Sequence, residues 1–158
     1  MYGLSKLRMF EIGVALLLTA AALVFVGWTV WAAEAELRVA DAWMRPTVGA
    51  GRTTAAYLTV ANSGGEDDTL KSARSAKATA VELHETKMTD DGVMQMRHVE
   101  DGLVVPAGGS LVLKPAGTHL MVMGLDEALS VGDEFALTLE FARAGIIEVS
   151  VPVKASGP

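Results

Sequence analysis

Three histidines and a cluster of methionines are the residues in this sequence best suited to chemistry. His84, His98 and His119 are its only histidines. Six methionines follow residue 35, and five of them (Met88, Met94, Met96, Met121 and Met123) fall between positions 88 and 123, leaving only Met44 outside. Methionine used as core filler would spread over every element of a fold, so this clustering points to ligation. A thioether is a soft, uncharged donor that favours Cu(I) and discriminates against Zn(II), Mg(II) and Ca(II). Imidazole adds affinity without adding negative charge. Two imidazoles with two thioethers would hold the reduced ion and retain Cu(II) poorly. Such a site also survives an oxidising compartment, where paired thiols would close into disulfides. The chain has no cysteine. That excludes disulfides, zinc ribbons, iron–sulfur clusters, thiol nucleophiles and a blue-copper centre.

The elements that must position these residues read as β-strands. Alternation between apolar and polar residues, bounded by turn residues, marks 37–44, 54–62, 79–86, 93–99, 110–114, 119–125, 134–141 and 146–153. The turns between them are rich in Gly, Asn, Asp and Pro, as in Asn62-Ser-Gly-Gly, Asp90-Asp-Gly92 and Pro106-Ala-Gly-Gly. No segment of useful length after residue 36 has a helical period. About eight short strands predict an all-β, Greek-key antiparallel sandwich. Phe135, Leu137, Leu139 and Phe141 form one inward face, and Ile147, Val149, Val151 and Val153 form another. Pro152 fits an edge strand. Trp43 and Tyr57 are expected to pack the core or shield one end of the sandwich. Asp67-Asp68 and Asp90-Asp91 read as solvated turn charges, and residues 154–158 as a short frayed end.

Periodicity places the candidate ligands. In 119–125, His119, Met121 and Met123 share one face and Leu120 and Val122 take the other. The aliphatic face is the core face. A three-residue loop Thr89-Asp90-Asp91 would set Met88 opposite Gly92, His84 opposite Met96 and Thr86 opposite Met94. Directly opposed residues have Cβ atoms ~5 Å apart, suited to two ligands on one ion. A slip of one residue would turn Met96 to the other face.

The N-terminus reads as an address. Lys6 and Arg8 precede Ile12–Ala33, a stretch without a charge, and Ala33-Glu-Ala35 has the form of a cleavage site. Residues 1–35 are therefore expected to be an apolar helix, a secretory signal peptide or an uncleaved membrane anchor, since ~20 apolar residues suffice to span a bilayer. Residues 36–158 are the working domain, placed outside the cytoplasm by either reading. With no cysteine after the apolar run, a lipidated N-terminus is not expected. The formal net charge of −6 and the lack of a basic run exclude nucleic acid as a partner. No Ser-His-Asp grouping, carboxylate pair or phosphate loop stands at usable spacing, so an enzyme is not expected.

These residues carry a resemblance. His84-Glu-Thr-Lys-Met88, Gly92-Val-Met94-Gln-Met96-Arg, Pro106-Ala-Gly-Gly, Leu113-Lys-Pro and His119-Leu-Met121-Val-Met123-Gly-Leu resemble the PCuAC family of periplasmic copper chaperones. The flanks Asp41-Ala-Trp43-Met-Arg45-Pro and Ala56-Tyr57-Leu-Thr-Val-Ala-Asn62 agree, so the likeness covers about residues 37–153. The resemblance implies a cupredoxin-like sandwich that binds one Cu(I) through His84, Met96, His119 and Met121. Met94 is the alternative to Met96. Met94, Met123 and Met88 are secondary candidates, as an apolar collar or as spare ligands during transfer. It further implies delivery to the Cu(A) centre of cytochrome oxidase, with the Cu(A) subunit or a Sco-type thiol protein as partner. His98 stands where the family has proline and reads as a surface residue. The competing reading is a β-sandwich interaction module whose methionine face binds a protein partner.

Overall fold

The computed structural model describes residues 36–157 apart from 48 and 50. The expected signal or anchor at 1–35 lies outside the described residues. Ten strands form: β1 Leu37–Met44, β2 Thr54–Asn62, β3 Asp68–Arg74, β4 Ala78–Met88, β5 Met94–His98, β6 Leu103–Val105, β7 Ser110–Leu113, β8 His119–Leu125, β9 Glu134–Phe141 and β10 Gly145–Pro152. The eight anticipated strands are all present, and β3 and β6 are additional. Among the described residues there is no helix, and so none long and apolar enough to cross a membrane.

The strands form one continuous antiparallel sheet in the order β1-β2-β8-β4-β3-β9-β10. Continuity comes from shared edges. β2 pairs with β8 through Thr54–Ala56 and with β7 through Leu58–Ala61. β4 pairs with β8 on one edge, while its other edge meets β3 at Val81 and β5 from His84 to Met88. The ends of the sheet then meet: Met44 and Val153 form a parallel bridge, and the Lys154 N–H donates to the Met44 carbonyl at 2.9 Å. The all-β antiparallel expectation holds, with the layers joined as a nearly closed barrel. Pro152 lies in β10, which ends the order, as its missing N–H requires.

One face of this sheet is the core. Leu58, Val60, Leu70, Leu120, Val122, Phe135, Leu137, Leu139, Val151 and Val153 are almost completely buried. Each such side chain contributes about 1.5–3 kcal/mol. The alternation predicted for β9 is observed at all four apolar positions, which are buried, whereas Ile147 and Val149 of β10 are partly buried.

Two corrections concern residues outside the core. Asp68 is not a solvated turn charge; it is 4% exposed. Its Oδ1 accepts the N–H groups of Thr69 at 2.7 Å and Arg143 at 2.9 Å, and its Oδ2 accepts that of Ala144 at 2.9 Å. It thus ties the start of β3 to the β9–β10 turn. The C-terminal stretch is not simply frayed. Gly157 lies so close to the Trp43 ring that a Cβ there would fall 2.8 Å from it.

Candidate metal centre

The face opposite the core carries the candidate ligands. β8 sets the phase: Leu120 and Val122 are buried completely, leaving His119, Met121 and Met123 on the other side. This is the arrangement read from the sequence. Its neighbours are fixed by register. His119 stands opposite His84, Met121 opposite Glu82 and Met123 opposite Ala80.

The β4–β5 register differs from the expected one. Met88 pairs with Met94, Thr86 with Met96 and His84 with His98. The connection is Thr89–Val93, two residues longer than the loop assumed. It is closed by the Thr89 N–H on the Val93 carbonyl at 2.8 Å and by the Thr89 hydroxyl on the same oxygen at 3.0 Å. A shift of two keeps every side chain on its face and slides it two residues along the partner. His84 therefore faces His98 rather than Met96, and Met96 moves level with Thr86.

The result is a row of rings across five strands. Ring centroids are 5.8 Å apart for His98–His84, 5.9 Å for His84–His119, 6.4 Å for His119–Tyr57 and 4.6 Å for Tyr57–Trp43. Trp43 joins the row because of a bulge. The register of β1 shifts between Ala40 and Trp43, where Asp41 has φ of 51°. One extra residue exchanges the two faces of the strand. Leu37 and Met44 consequently both reach the core, and Trp43 packs beside Tyr57. Both aromatic residues are buried, and neither belongs to the main core cluster.

A cleft of about 440 Å³ opens beside this row. His119, Met121, Met94 and Met96 line it together with Tyr57, Thr86 and Ala116, and no charged side chain is among its walls. His119 is 5% exposed, whereas Met94 and Met96 are 50% and 51% exposed. One wall is therefore fixed and the other open. His84 is not part of the lining and abuts His119 from β4. Met123 lies farther along β8, and Met88, 68% exposed, stands at the hairpin end.

The turn before β8 holds His119 in place. The Gly117 carbonyl accepts the His119 ring Nδ1 at 2.9 Å and the Thr86 N–H at 3.3 Å. Since a carbonyl can only accept, His119 carries its proton on Nδ1 and presents a bare Nε2. His84 is held differently: its Nε2 lies 2.9 Å from Glu82 Oε2, and its Nδ1 is buried without a hydrogen-bond partner. Among the described residues no three His, Cys, Asp or Glu side chains converge to hold a metal ion. A metal on this face would therefore rely on thioether donors. The sequence reading passed over Glu82 and Gly117. Glu82 could have been found, since it is two residues before His84 and so shares its face.

Beyond Met123, β8 depends on Gly124, whose φ is +63° and where a Cβ would lie 2.3 Å from Thr79 Oγ1. Gly124→Ala is expected to destabilise the protein by about 2–4 kcal/mol through left-handed strain and overpacking. Urea denaturation would show it as a lower midpoint with an unchanged slope. A wild-type midpoint would show that β8 tolerates the side chain.

The comparisons with known proteins bear on the family and the fold. The family model described as "Putative lipoprotein LpqE-like" matches residues 37–153. "Putative lipoprotein Lxx21020" of Leifsonia xyli subsp. xyli (strain CTCB07) is 37% identical over 118 residues, covering 75% of this chain and 69% of its own. The copper-bound PCuAC domain from PmoF2 superposes with a TM-score of 0.63 at 21% identity, over 77% of this chain and 94% of its own. The solution structure of CuI-DR1885 from Deinococcus radiodurans gives a TM-score of 0.58 at 32% identity, over 73% of this chain and 76% of its own. By the family match and the fold, the chain belongs to the LpqE-like family and its sheet is a domain of the PCuAC type.

Proposed function

We propose that this protein is an extracytoplasmic Cu(I) carrier that binds one ion through His84, Met96, His119 and Met121 and releases it by ligand exchange. The observation that carries this reading is the cleft in which His119 and Met121 of β8 meet Met94 and Met96 of β5 without a charged wall. Soft neutral donors along a cleft whose walls carry no charged side chain suit a monovalent soft cation. Met94 is the alternative donor on β5; Met123 and Met88 flank the site. The copper-bound PmoF2 domain and CuI-DR1885, to which the chain is similar in fold, support the assignment. Individually weak thioethers can be replaced one at a time by an acceptor's thiolate or imidazole. The acceptor in this proposal is the Cu(A) subunit of cytochrome oxidase or a Sco-type thiol protein. Residues 1–35 act as export signal or inner-membrane anchor, and the domain works in the periplasm. Although its relatives are named lipoproteins, this sequence has no cysteine to carry a thioether-linked lipid.

A competition titration of Cu(I) against a colorimetric chelator under reducing conditions tests the reading. One equivalent is expected to bind tightly, and affinity is expected to collapse in both His84→Ala and Met121→Leu. Binding indifferent to both changes would overturn the ligand set. Absence of binding would move the methionine face to protein recognition.

A further inference from the structure

His84 and His119 face each other across β4 and β8, yet their ring nitrogens are engaged oppositely. In His119 it is Nδ1 that is engaged, by the Gly117 carbonyl at 2.9 Å. In His84 it is Nε2, by the Glu82 carboxylate at 2.9 Å. A carboxylate oxygen accepts, so the His84 proton sits on Nε2. In the neutral ring the lone pair is then on Nδ1, and that atom is buried with no partner. A buried nitrogen acceptor without a partner is costly and calls for an explanation such as an ion.

We propose that Glu82 is a positioning residue that fixes the His84 proton on Nε2, so that the soft metal ion is taken by Nδ1 of His84 and by Nε2 of His119. The proposal rests on the carrier reading and deepens it. Three observations converge on it. Glu82 is two residues from His84 on the same strand and shares its face. It is also directly opposite Met121, so one carboxylate stands beside two members of the donor set. The Glu82 side chain is 35% exposed and that of His84 14% exposed, so the pair lies at the boundary between solvent and the packed ring row. Metal-bound imidazoles commonly donate their second N–H to a carboxylate or carbonyl, which fixes tautomer and ring orientation. Here the two imidazoles use one partner of each kind. Using opposite nitrogens lets rings on adjacent strands offer lone pairs from different edges.

The test uses the full chain, 15N-labelled and held in detergent micelles, with long-range proton–nitrogen correlation of the imidazole rings. Without metal, His84 is expected to show a proton on Nε2 and a bare Nδ1, and His119 the reverse. On anaerobic addition of one equivalent of Cu(I), the large nitrogen shifts are expected at Nδ1 of His84 and Nε2 of His119. Glu82→Leu is expected to lower Cu(I) affinity about 10–100-fold and to abolish the His84 tautomer preference, with His119 unchanged. Glu82→Gln keeps a side-chain oxygen at the same reach and is expected to restore both. Cu(I) uptake with His84 bound through Nε2 overturns this proposal alone, as does unchanged affinity in Glu82→Leu. Should the leucine variant not fold, the wild-type nitrogen assignment still decides. No Cu(I) uptake by the wild type would overturn the carrier reading and this proposal together.

Discussion

His119→Ala is expected to lower Cu(I) affinity by roughly a thousandfold, beyond the ~10–100-fold that follows loss of a partner outside the ligand set. The reason is geometric. His119 is 5% exposed, its ring is held by the Gly117 carbonyl, and it lines the cleft together with Met121, Met94 and Met96. No other imidazole is among the cleft-lining residues. The change leaves the Gly117 carbonyl with the Thr86 N–H, so the turn keeps one of its two donors. The cost in stability is about 1–3 kcal/mol, readable as a lowered melting temperature with native strand content. Folded protein that still binds Cu(I) at wild-type strength would remove His119 from the ligand set. Met121→Leu separates ligation from packing, because a volume-conserving swap costs less than ~1.5 kcal/mol.

The second large effect lies far from the cleft. Asp68→Ala is expected to destabilise the protein by about 3–5 kcal/mol, and Asp68→Asn by about 2 kcal/mol. Burial pushes the Asp68 pKa up. The N–H groups of Ala144, Arg143 and Thr69, with the Arg143 charge, outweigh burial and hold it below the ordinary aspartate value of 3.8. A pKa depressed in the folded state gives stability that is fully present above the unfolded value and lost as pH falls through the folded one. The difference between wild type and Asp68→Asn should therefore be constant at neutral pH and shrink as pH drops below 3.8. Urea melts across that range measure it. A difference that persists into strong acid would show that the hydrogen bonds do not require the ionised form.

What could be read in advance follows from which signals are local. β9 was legible because Phe135 through Phe141 keep strict alternation from end to end, and β8 because Leu120 and Val122 alternate with Met121 and Met123. β3 was not, because its register on β9 shifts between Leu70 and Ser72. Its buried residues are Asp68, Leu70 and Ala73, which breaks period two. An aspartate at the head of a strand resembles a turn residue, and two of its three N–H partners lie 75 and 76 positions away. β6 is three residues long and too short to show a period. At the site, residue types and faces were legible and the pairing was not. Turn length decided whether His84 would meet Met96 or His98, and that length depends on the Thr89 hydroxyl closing onto Val93. The bulge at Asp41 that swings Trp43 next to Tyr57 left no comparable signal in composition.

The two strands that hold the cleft differ in how firmly they are built. β8 is flanked by β2 and β4 and anchored by Leu120, Val122 and Leu125, so its opening requires disruption of the sheet. β5 pairs with β4, and all five of its residues are exposed. Opening free energies vary across a structure, with few buried contacts marking the low end. The β5 hairpin can therefore lift away by itself while β8 stays folded. On the proposed ligand set Met96 and Met94 would withdraw first, and His119 and Met121 would keep hold of the ion until an incoming donor filled the vacated side. Local stability would then set the order in which the bonds are given up, with no need for the chain to unfold.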